Sequence, residues 1–143
     1  MNTESRSVAR RCIDWHAAQT AVAAACAAAE SRGLRINVAV VDSGGQLAGF
    51  LRMPGAFIHS IDIAIDKAYT CASFGIAISR WPELLAGDEA LRLGLPLRPR
   101  LVVFGGGLPI VEGEELIGGI GVSGGSAQED EACAMAGLEA IGL

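Results

Sequence analysis

Apolar and polar positions along the first third of the chain predict a long helix followed by a β-hairpin. Residues 7–32 are rich in Ala, Val, Ile and Cys and contain no Pro or Gly, and Gly33 stands where a C-terminal helix cap belongs. Residues 36–41 and 47–53 are two apolar runs, separated by the turn-forming residues 42–45. This pattern indicates two antiparallel strands joined by a tight turn.

The remainder of the chain mixes helical and extended patterns. Residues 56–74 show helical spacing, and their predicted apolar stripe comprises Ile58, Ile61, Ile65, Ala68, Tyr69 and Ala72. A short helix is predicted over 81–86, strands over 101–104 and 115–122, and a last helix over 130–141. Because helices and strands do not alternate regularly, the order favours a mostly antiparallel sheet covered by helices, an α+β fold, over a doubly wound parallel sheet.

Size and composition indicate one domain that associates with copies of itself. The 143 residues fit a single domain, 1–143. Apolar residues make up 51% of the chain and charged residues 19%, which suggests that partner subunits cover part of the apolar surface. We therefore expect a homo-oligomer.

Charge and hydropathy argue against two classes of partner. The net charge of −5 offers no electrostatic match to a phosphate backbone, so no nucleic acid is expected. The Ala-rich stretch 17–29 is too short and too weakly apolar to span a bilayer or to act as a signal peptide. No membrane partner is expected, and the predicted location is cytoplasmic.

The cysteines do not have the spacing of a metal site. Cys12, Cys26, Cys71 and Cys133 are far apart, without a Cys-x-x-Cys pair or a His at ligand spacing. We expect buried free thiols instead. The acidic turn 112–115 could attract a divalent cation, but such turns are usually solvated, so no metal site is predicted.

The most specific local pattern lies in the glycine-rich segment 118–129, where an apolar strand leads through a glycine turn into a helix. Ser126 and Glu129 have the spacing of a capping box, which places the helix N-terminus just after Gly125. Free backbone N–H groups at such a terminus can hold a carboxylate or another anion. The alternative is that these glycines serve only the backbone geometry of a tight turn.

A second glycine cluster, 105–107, precedes Pro109. Three consecutive glycines are entropically costly unless the backbone must closely approach a ligand or another chain. The G-x-G-x-x-G string at 119–124 lies within a strand and its turn rather than in a βαβ unit, so dinucleotide binding is not expected. The predicted ligand-binding residues are Gly105, Gly106, Gly107, Pro109, Ser123, Gly124, Gly125 and Ser126.

The second long helix carries polar residues opposite its apolar stripe, namely His59, Asp66, Lys67 and Thr70. His59 lies in the first turn, where the helix dipole favours a neutral imidazole that can act as an acid or a base. With Arg52 as a carboxylate clamp at the end of the preceding strand, we predict the catalytic set His59, Lys67 and Arg52. An ordinary face exposed to solvent or to a neighbouring subunit is the alternative.

Six motifs, in order, resemble the GlcG/HbpS family, which includes the C-terminal domain of PduO-type proteins. They are VAVVDSGGQL, LRMPGA, HSIDIAIDKAYT, FGGGLPI, GGIGVSGGS and QEDEACA, and they extend over nearly the whole chain from about residue 10. Each motif alone would be weak, but the ordered set is highly specific. The resemblance implies a profilin-like α/β sandwich, with an antiparallel sheet of about five strands flanked by helices, assembled into dimers or into higher oligomers such as tetramers or octamers.

The resemblance leaves the function open between haem binding, a redox-linked accessory role and a place in catabolism. Haem-binding relatives use a histidine near the start of the first helix, and His16, which follows Trp15, is the residue that could correspond. A lone helical histidine without this resemblance is more often a surface residue than a haem ligand. The FGGGLPI and HSIDIAIDKAYT motifs look more like those of members that accompany aromatic ring cleavage.

Three functional hypotheses follow. The slightly favoured one is an accessory catabolic enzyme that performs proton transfer, isomerisation or hydrolysis on a small unsaturated carboxylic acid or imine, such as a muconate-type compound, and requires no cofactor. It is favoured because aromatic residues are only 5% of the chain, whereas Arg52 and the two glycine clusters suit a small anion. The alternative is a non-enzymatic haem-binding protein with His16 as ligand. The third is an accessory protein without a small ligand.

Overall fold

The computed structural model describes residues 4–143 and contains an antiparallel sheet of four strands in this range. The strands are β1 (Asn37–Asp42), β2 (Leu47–Arg52), β3 (Gly107–Glu112) and β4 (Glu115–Ser123). The helices are α1 (Trp15–Ser31), α2 (His59–Phe74), α3 (Trp81–Leu85), α4 (Glu89–Gly94) and α5 (Ala127–Ala140). The strand order is β2-β1-β4-β3, and every neighbouring pair is antiparallel.

The helices cover both faces of the sheet. Val38 and Val40 point to one face and pack in a core with residues of α1 and α5. Ala39 and Val41 alternate with them and pack against α2 on the other face. This sandwich confirms the predicted α+β class with its antiparallel sheet, with four strands in residues 4–143 where about five were expected.

Two glycines of β4 allow α2 to lie directly on the sheet. A Cβ atom at Gly119 would clash with the carbonyl oxygen of Ala68, and one at Gly121 would clash with the carbonyl oxygen of Ala64. Small residues of α2, among them Ala64 and Ala68, therefore face the sheet. The apolar stripe predicted for this helix is wrong at Ile58, which is 76% exposed because it precedes α2 as its N-cap residue and does not lie on the face that contacts the sheet.

Several predicted boundaries shift in the structure. Residues 7–14 are not helical, and α1 begins after Asp14, whose carboxylate accepts a hydrogen bond from the His16 N–H. Residues 101–104 form no strand. The segment expected to interrupt the sheet, with its glycines and Pro109, is itself β3, because an edge strand tolerates a proline.

Candidate functional site

Three polar residues lie side by side where β1 begins and where β2 and β4 end. Asn37 is opposite Arg52 on one neighbouring strand and opposite Ser123 on the other. Ala39, two positions after Asn37 on β1, packs against α2, and side chains two positions apart on a strand point to the same face. Residues in register on neighbouring strands also share a face, so all three polar residues lie on the α2 side of the sheet. We call Arg52, Asn37 and Ser123 the polar end of the sheet.

Asn37 is the buried centre of the polar end. Its side chain is fully buried, and its Nδ2 donates to the carbonyl oxygen of Phe57 at 3.1 Å. Its Oδ1 has no hydrogen-bond partner within the described chain. Buried polar atoms are nearly always satisfied, so this unpartnered oxygen is an unusual feature of the polar end.

Of the predicted catalytic set, Arg52 belongs to the polar end and His59 lies near it. Arg52 is exposed, and its Nη2 donates to the carbonyl oxygen of Ala56 at 3.0 Å, which leaves its other N–H groups available. His59 is exposed and begins α2, close in sequence to Phe57, which contacts Asn37. Arg52 and His59 therefore lie at one end of the molecule. Among the hydrogen bonds of the described residues 4–143, none joins these two side chains.

Lys67, the third residue of that set, points elsewhere. Its Nζ lies 3.2 Å from Asp130 Oδ2 and donates to the carbonyl oxygen of Val122 at 2.8 Å, with 2% of the Lys67 and Asp130 side chains exposed. The aromatic ring of Phe104 lies 5.3 Å from the ammonium group. The prediction that Lys67 faces solvent beside His59 is wrong.

Thr70, predicted on the same exposed face, is also buried. Its hydroxyl lies 2.7 Å from the carbonyl oxygen of Asp66 and 3.1 Å from that of Arg100, which share its single proton, and it accepts from the N–H of Val102 at 3.1 Å. These bonds fasten the connection between α4 and β3 to the middle of α2. A helical wheel could not show this burial, because the segment that covers Thr70 is about thirty residues away in sequence.

Burial shifts the pKa values of the Lys67–Asp130 pair toward the neutral forms. Desolvation lowers the pKa of Lys67, although Asp130 attracts its charge. Desolvation likewise raises the pKa of Asp130, against the attraction of Lys67 and a hydrogen bond from the Gly125 N–H. Asp130 was not among the site residues predicted from the sequence. A signal existed, since Ala64, Lys67, Ala68 and Cys71 have the spacing of one helix face on which a lysine is out of place.

The two glycine clusters meet at this pair, as the ligand-binding prediction required, but they enclose protein atoms. A Cβ atom at Gly106 would lie 2.5 Å from Lys67 Nζ, and the Gly106 carbonyl oxygen accepts from the Val122 N–H at 2.8 Å. The Gly125 N–H donates to Asp130 Oδ1 at 2.8 Å. The predicted carboxylate-binding amide thus holds a carboxylate of the protein itself.

The capping box at the start of α5 is confirmed. Ser126 accepts from the Glu129 N–H, and Glu129 accepts from the Ser126 N–H at 2.9 Å. These hydrogen bonds lower the pKa of Glu129.

Pro109, also predicted to bind ligand, lies away from the glycine turn and lines an apolar groove with Ile76 and Met135.

His16 is held in a defined orientation on the surface of α1. Its Nδ1 lies 2.8 Å from Asp14 Oδ2, its ring stacks on Trp15 with centroids 3.6 Å apart, and 70% of its side chain is exposed. A carboxylate beside Nδ1 favours the tautomer with the proton on Nδ1, in which Nε2 carries the lone pair. The same bond lowers the pKa of Asp14.

Other site classes receive no support from residues 4–143. No group of three or more His, Cys, Asp or Glu residues in that range could hold a metal ion. None of the helices found there is long and apolar enough to cross a membrane.

Of the four free thiols, Cys71 and Cys133 are buried, Cys26 is half-buried and Cys12 is exposed. The expectation of buried thiols therefore holds for two of the four.

Known proteins with similar sequences and structures share this architecture. A protein of 15.0 kDa encoded in the dhaT–dhaS intergenic region of Citrobacter freundii is 37% identical over 117 residues, which is 78% of this chain and 82% of that protein. A double mutant of HbpS from Streptomyces reticuli is 32% identical, with a TM-score of 0.88, and the match covers 100% of this chain and 98% of the mutant.

A third relative was solved with a ligand. The protein in the structure of the PduOC:heme complex is 30% identical in sequence to this chain, and the two folds superimpose with a TM-score of 0.84. The match covers 92% of this chain and 96% of that protein. The family model described as haem degrading protein HbpS-like matches residues 13–139. This chain therefore belongs to the HbpS-like family, which the six ordered motifs had indicated.

Proposed function

We propose that this protein binds haem or a related tetrapyrrole, with Nε2 of His16 as the axial ligand. The observation that carries the proposal is the 2.8 Å contact between His16 Nδ1 and Asp14 Oδ2. A carboxylate on the far nitrogen of an imidazole fixes the ring orientation and increases the electron donation of the free nitrogen. Bound haem would supply redox chemistry at its iron, and the residues of this chain would supply its attachment.

The surroundings of His16 suit a flat apolar ligand. Trp15 is 60% exposed beside the imidazole, so a ring system attached at Nε2 meets an aromatic neighbour. Asp14 also caps α1, which anchors the carboxylate to the helix start and keeps the imidazole in place. The PduOC:heme complex, 30% identical to this chain, supports the same ligand class.

A homo-oligomer is part of this proposal. Trp15, Phe57, Ile58, Leu97 and Phe104 are all more than half exposed. A soluble monomer seldom presents so many large apolar side chains, and contact with a second copy would cover some of them. A haem on the exposed His16 would then have a second wall supplied by the partner copy.

Haem titration followed by the Soret band tests the proposal. The wild-type protein is expected to give a saturable band with one haem per chain, and His16→Ala is expected to abolish it. His59→Ala is the matched control, because it removes the other histidine, which is also exposed. Asp14→Asn keeps a good helix cap but removes the carboxylate, so it is expected to weaken haem binding while the helix persists. An unchanged band in His16→Ala, or loss of the band in His59→Ala, would contradict the assignment.

A second candidate function rests on the unpartnered Oδ1 of Asn37. Arg52 would hold the carboxylate of a small unsaturated acid or imine, and His59 would transfer a proton, as in the muconate-type hypothesis. Lys67 is sealed against Asp130 and takes no part in this version. The test is turnover of a muconate-type dicarboxylate, followed by its ultraviolet absorbance. Full activity in both Arg52→Ala and His59→Ala would reject it.

A further inference from the structure

A separate polar cavity lies between the N-terminal segment, the β1–β2 turn and α2. Its volume is about 270 Å³, and its lining includes Arg10, Ser43, Tyr69 and Ser73. Cavities for drug-sized ligands occupy about 300–1,000 Å³, so this one suits a smaller molecule. It shares no lining residue with the polar end of the sheet or with His16.

Reciprocal hydrogen bonds hold the guanidinium group of Arg10 at the cavity. Its Nη2 donates to the carbonyl oxygen of Ser43 at 2.7 Å. In return, the Ser43 hydroxyl donates to the carbonyl oxygen of Arg11 at 2.8 Å. The N-terminal segment is thereby pinned to the turn, and the remaining N–H groups of the Arg10 fork stay free to donate.

The cavity contains a positive charge without a negative one. Its lining has no Asp or Glu, and no carboxylate in residues 4–143 forms an ion pair with Arg10. The nearby acids are engaged elsewhere. Asp66 pairs with Arg100 at 3.0 Å, and Asp42 accepts two backbone N–H groups within its own turn.

Neutral donors complete the lining. The hydroxyls of Tyr69 and Ser73 come from the same helix, four residues apart and therefore on one face. The ring of Tyr69 is fixed between two neighbours, because it contacts Gly45 so closely that a Cβ atom there would lie within 3.0 Å, and because Arg100 lies 3.6 Å from its centroid. A guanidinium group together with hydroxyl-bearing residues in one cavity lining is a donor set that can recognise oxyanions.

From these observations we propose that the cavity binds a small oxyanion, either a carboxylate or a phosphate group, through Arg10 with Tyr69 and Ser73 as neutral donors. This site is independent of haem binding at His16, so failure of either proposal leaves the other standing. Inorganic phosphate and malonate are the probes that distinguish the two sources of the anion.

Titration of the uniformly ¹⁵N-labelled full chain with each probe, at constant ionic strength, tests the proposal. We expect saturable shifts of the amide signals of Gly44, Gly45, Tyr69 and Ser73. Arg10→Gln is expected to weaken binding at least about tenfold, since it removes a charge-assisted hydrogen bond. Arg6→Gln is the matched control, because it removes the same charge from the same exposed segment and is expected to change nothing.

A second variant protects the test against a folding defect. Ser73→Ala alters an exposed helical hydroxyl and is expected to weaken binding severalfold without unfolding α2. Absence of saturation with both probes, equal weakening in Arg10→Gln and Arg6→Gln, or shifts centred on another part of the chain would overturn the proposal. Binding of one probe alone identifies the class of oxyanion.

Discussion

Lys67 Nζ and Asp130 Oδ2 lie 3.2 Å apart in the interior and join α2 to the start of α5. The carbonyl oxygen of Val122 accepts from Lys67 Nζ, and the N–H of Gly125 donates to the other carboxylate oxygen of Asp130. The absence of a side chain at Gly106 makes room for the pair. The glycine loops and the ion pair are thus one structural unit that positions the end of the sheet.

Removal of either member of this pair is predicted to destabilise the fold strongly. Lys67→Met and Asp130→Asn would each leave the partner buried without its counter-charge, at a cost of about 3–5 kcal/mol in the free energy of unfolding. The double variant Lys67→Met with Asp130→Asn is expected to lose less than the sum of the single losses, because no unpaired charge remains. Urea denaturation measures all three.

The control for that comparison is an exposed ion pair. Arg92 and Glu89 form a pair on α4 with about half or more of each side chain exposed. Arg92→Gln is expected to change stability by no more than about 0.5 kcal/mol. A loss in Lys67→Met that is no larger than this control would show that the buried pair does not hold α2 and α5 together.

Gly121→Ala is predicted to destabilise the protein by about 1–3 kcal/mol or more, because the added methyl group must displace α2. A Cβ atom there would clash with the carbonyl oxygen of Ala64 and lie within 3.0 Å of the Ala68 N–H nitrogen. Gly87→Ala is the matched control, since a Cβ atom at Gly87 meets nothing within 4 Å. Thermal unfolding of both variants, followed by circular dichroism, gives the comparison. Equal melting temperatures would refute the close-packing role of Gly121.

Stability is predicted to fall above about pH 9 because of Cys71. Burial raises the pKa of its thiol from 9.0 to about 12, so the unfolded chain loses this proton at a lower pH than the folded protein does. A group whose pKa is raised by folding stabilises below its unfolded pKa and loses that contribution as the pH rises. The expected loss from this thiol is about 1.4 kcal/mol at pH 10.

The pH dependence is measured by urea denaturation at several values between about pH 8 and pH 10. Cys71→Ala is expected to make the decline shallower without abolishing it, because burial also raises the pKa of the Cys26 thiol, to about 11. Cys12→Ala serves as the control, because Cys12 is exposed and its removal is expected to leave the decline unchanged. Parallel curves for the wild type and Cys71→Ala would contradict the prediction.

Local patterns in the sequence identified the features that depend on neighbouring residues. The hairpin of β1 and β2, with its turn at Asp42–Gly45, follows from a β-branched run and a second apolar run with turn residues between them. The capping box of Ser126 and Glu129 was visible for the same reason, since its two hydrogen bonds join residues only three positions apart. The ordered motifs indicated the family, which the match over residues 13–139 shows.

Local patterns and the ordered motifs therefore predicted the α+β class, most of the elements and the family. Three features became visible only in the folded chain: β3 lies in the Gly107–Glu112 segment, Lys67 is buried against Asp130, and the glycine amide at Gly125 holds an internal carboxylate. These features join residues that are far apart along the chain. Lys67 meets a carboxylate 63 residues away, and α2 approaches β4 because of Gly119 and Gly121, which are 51 and 57 residues away from the Ala68 and Ala64 that they contact. A periodic pattern cannot encode such contacts.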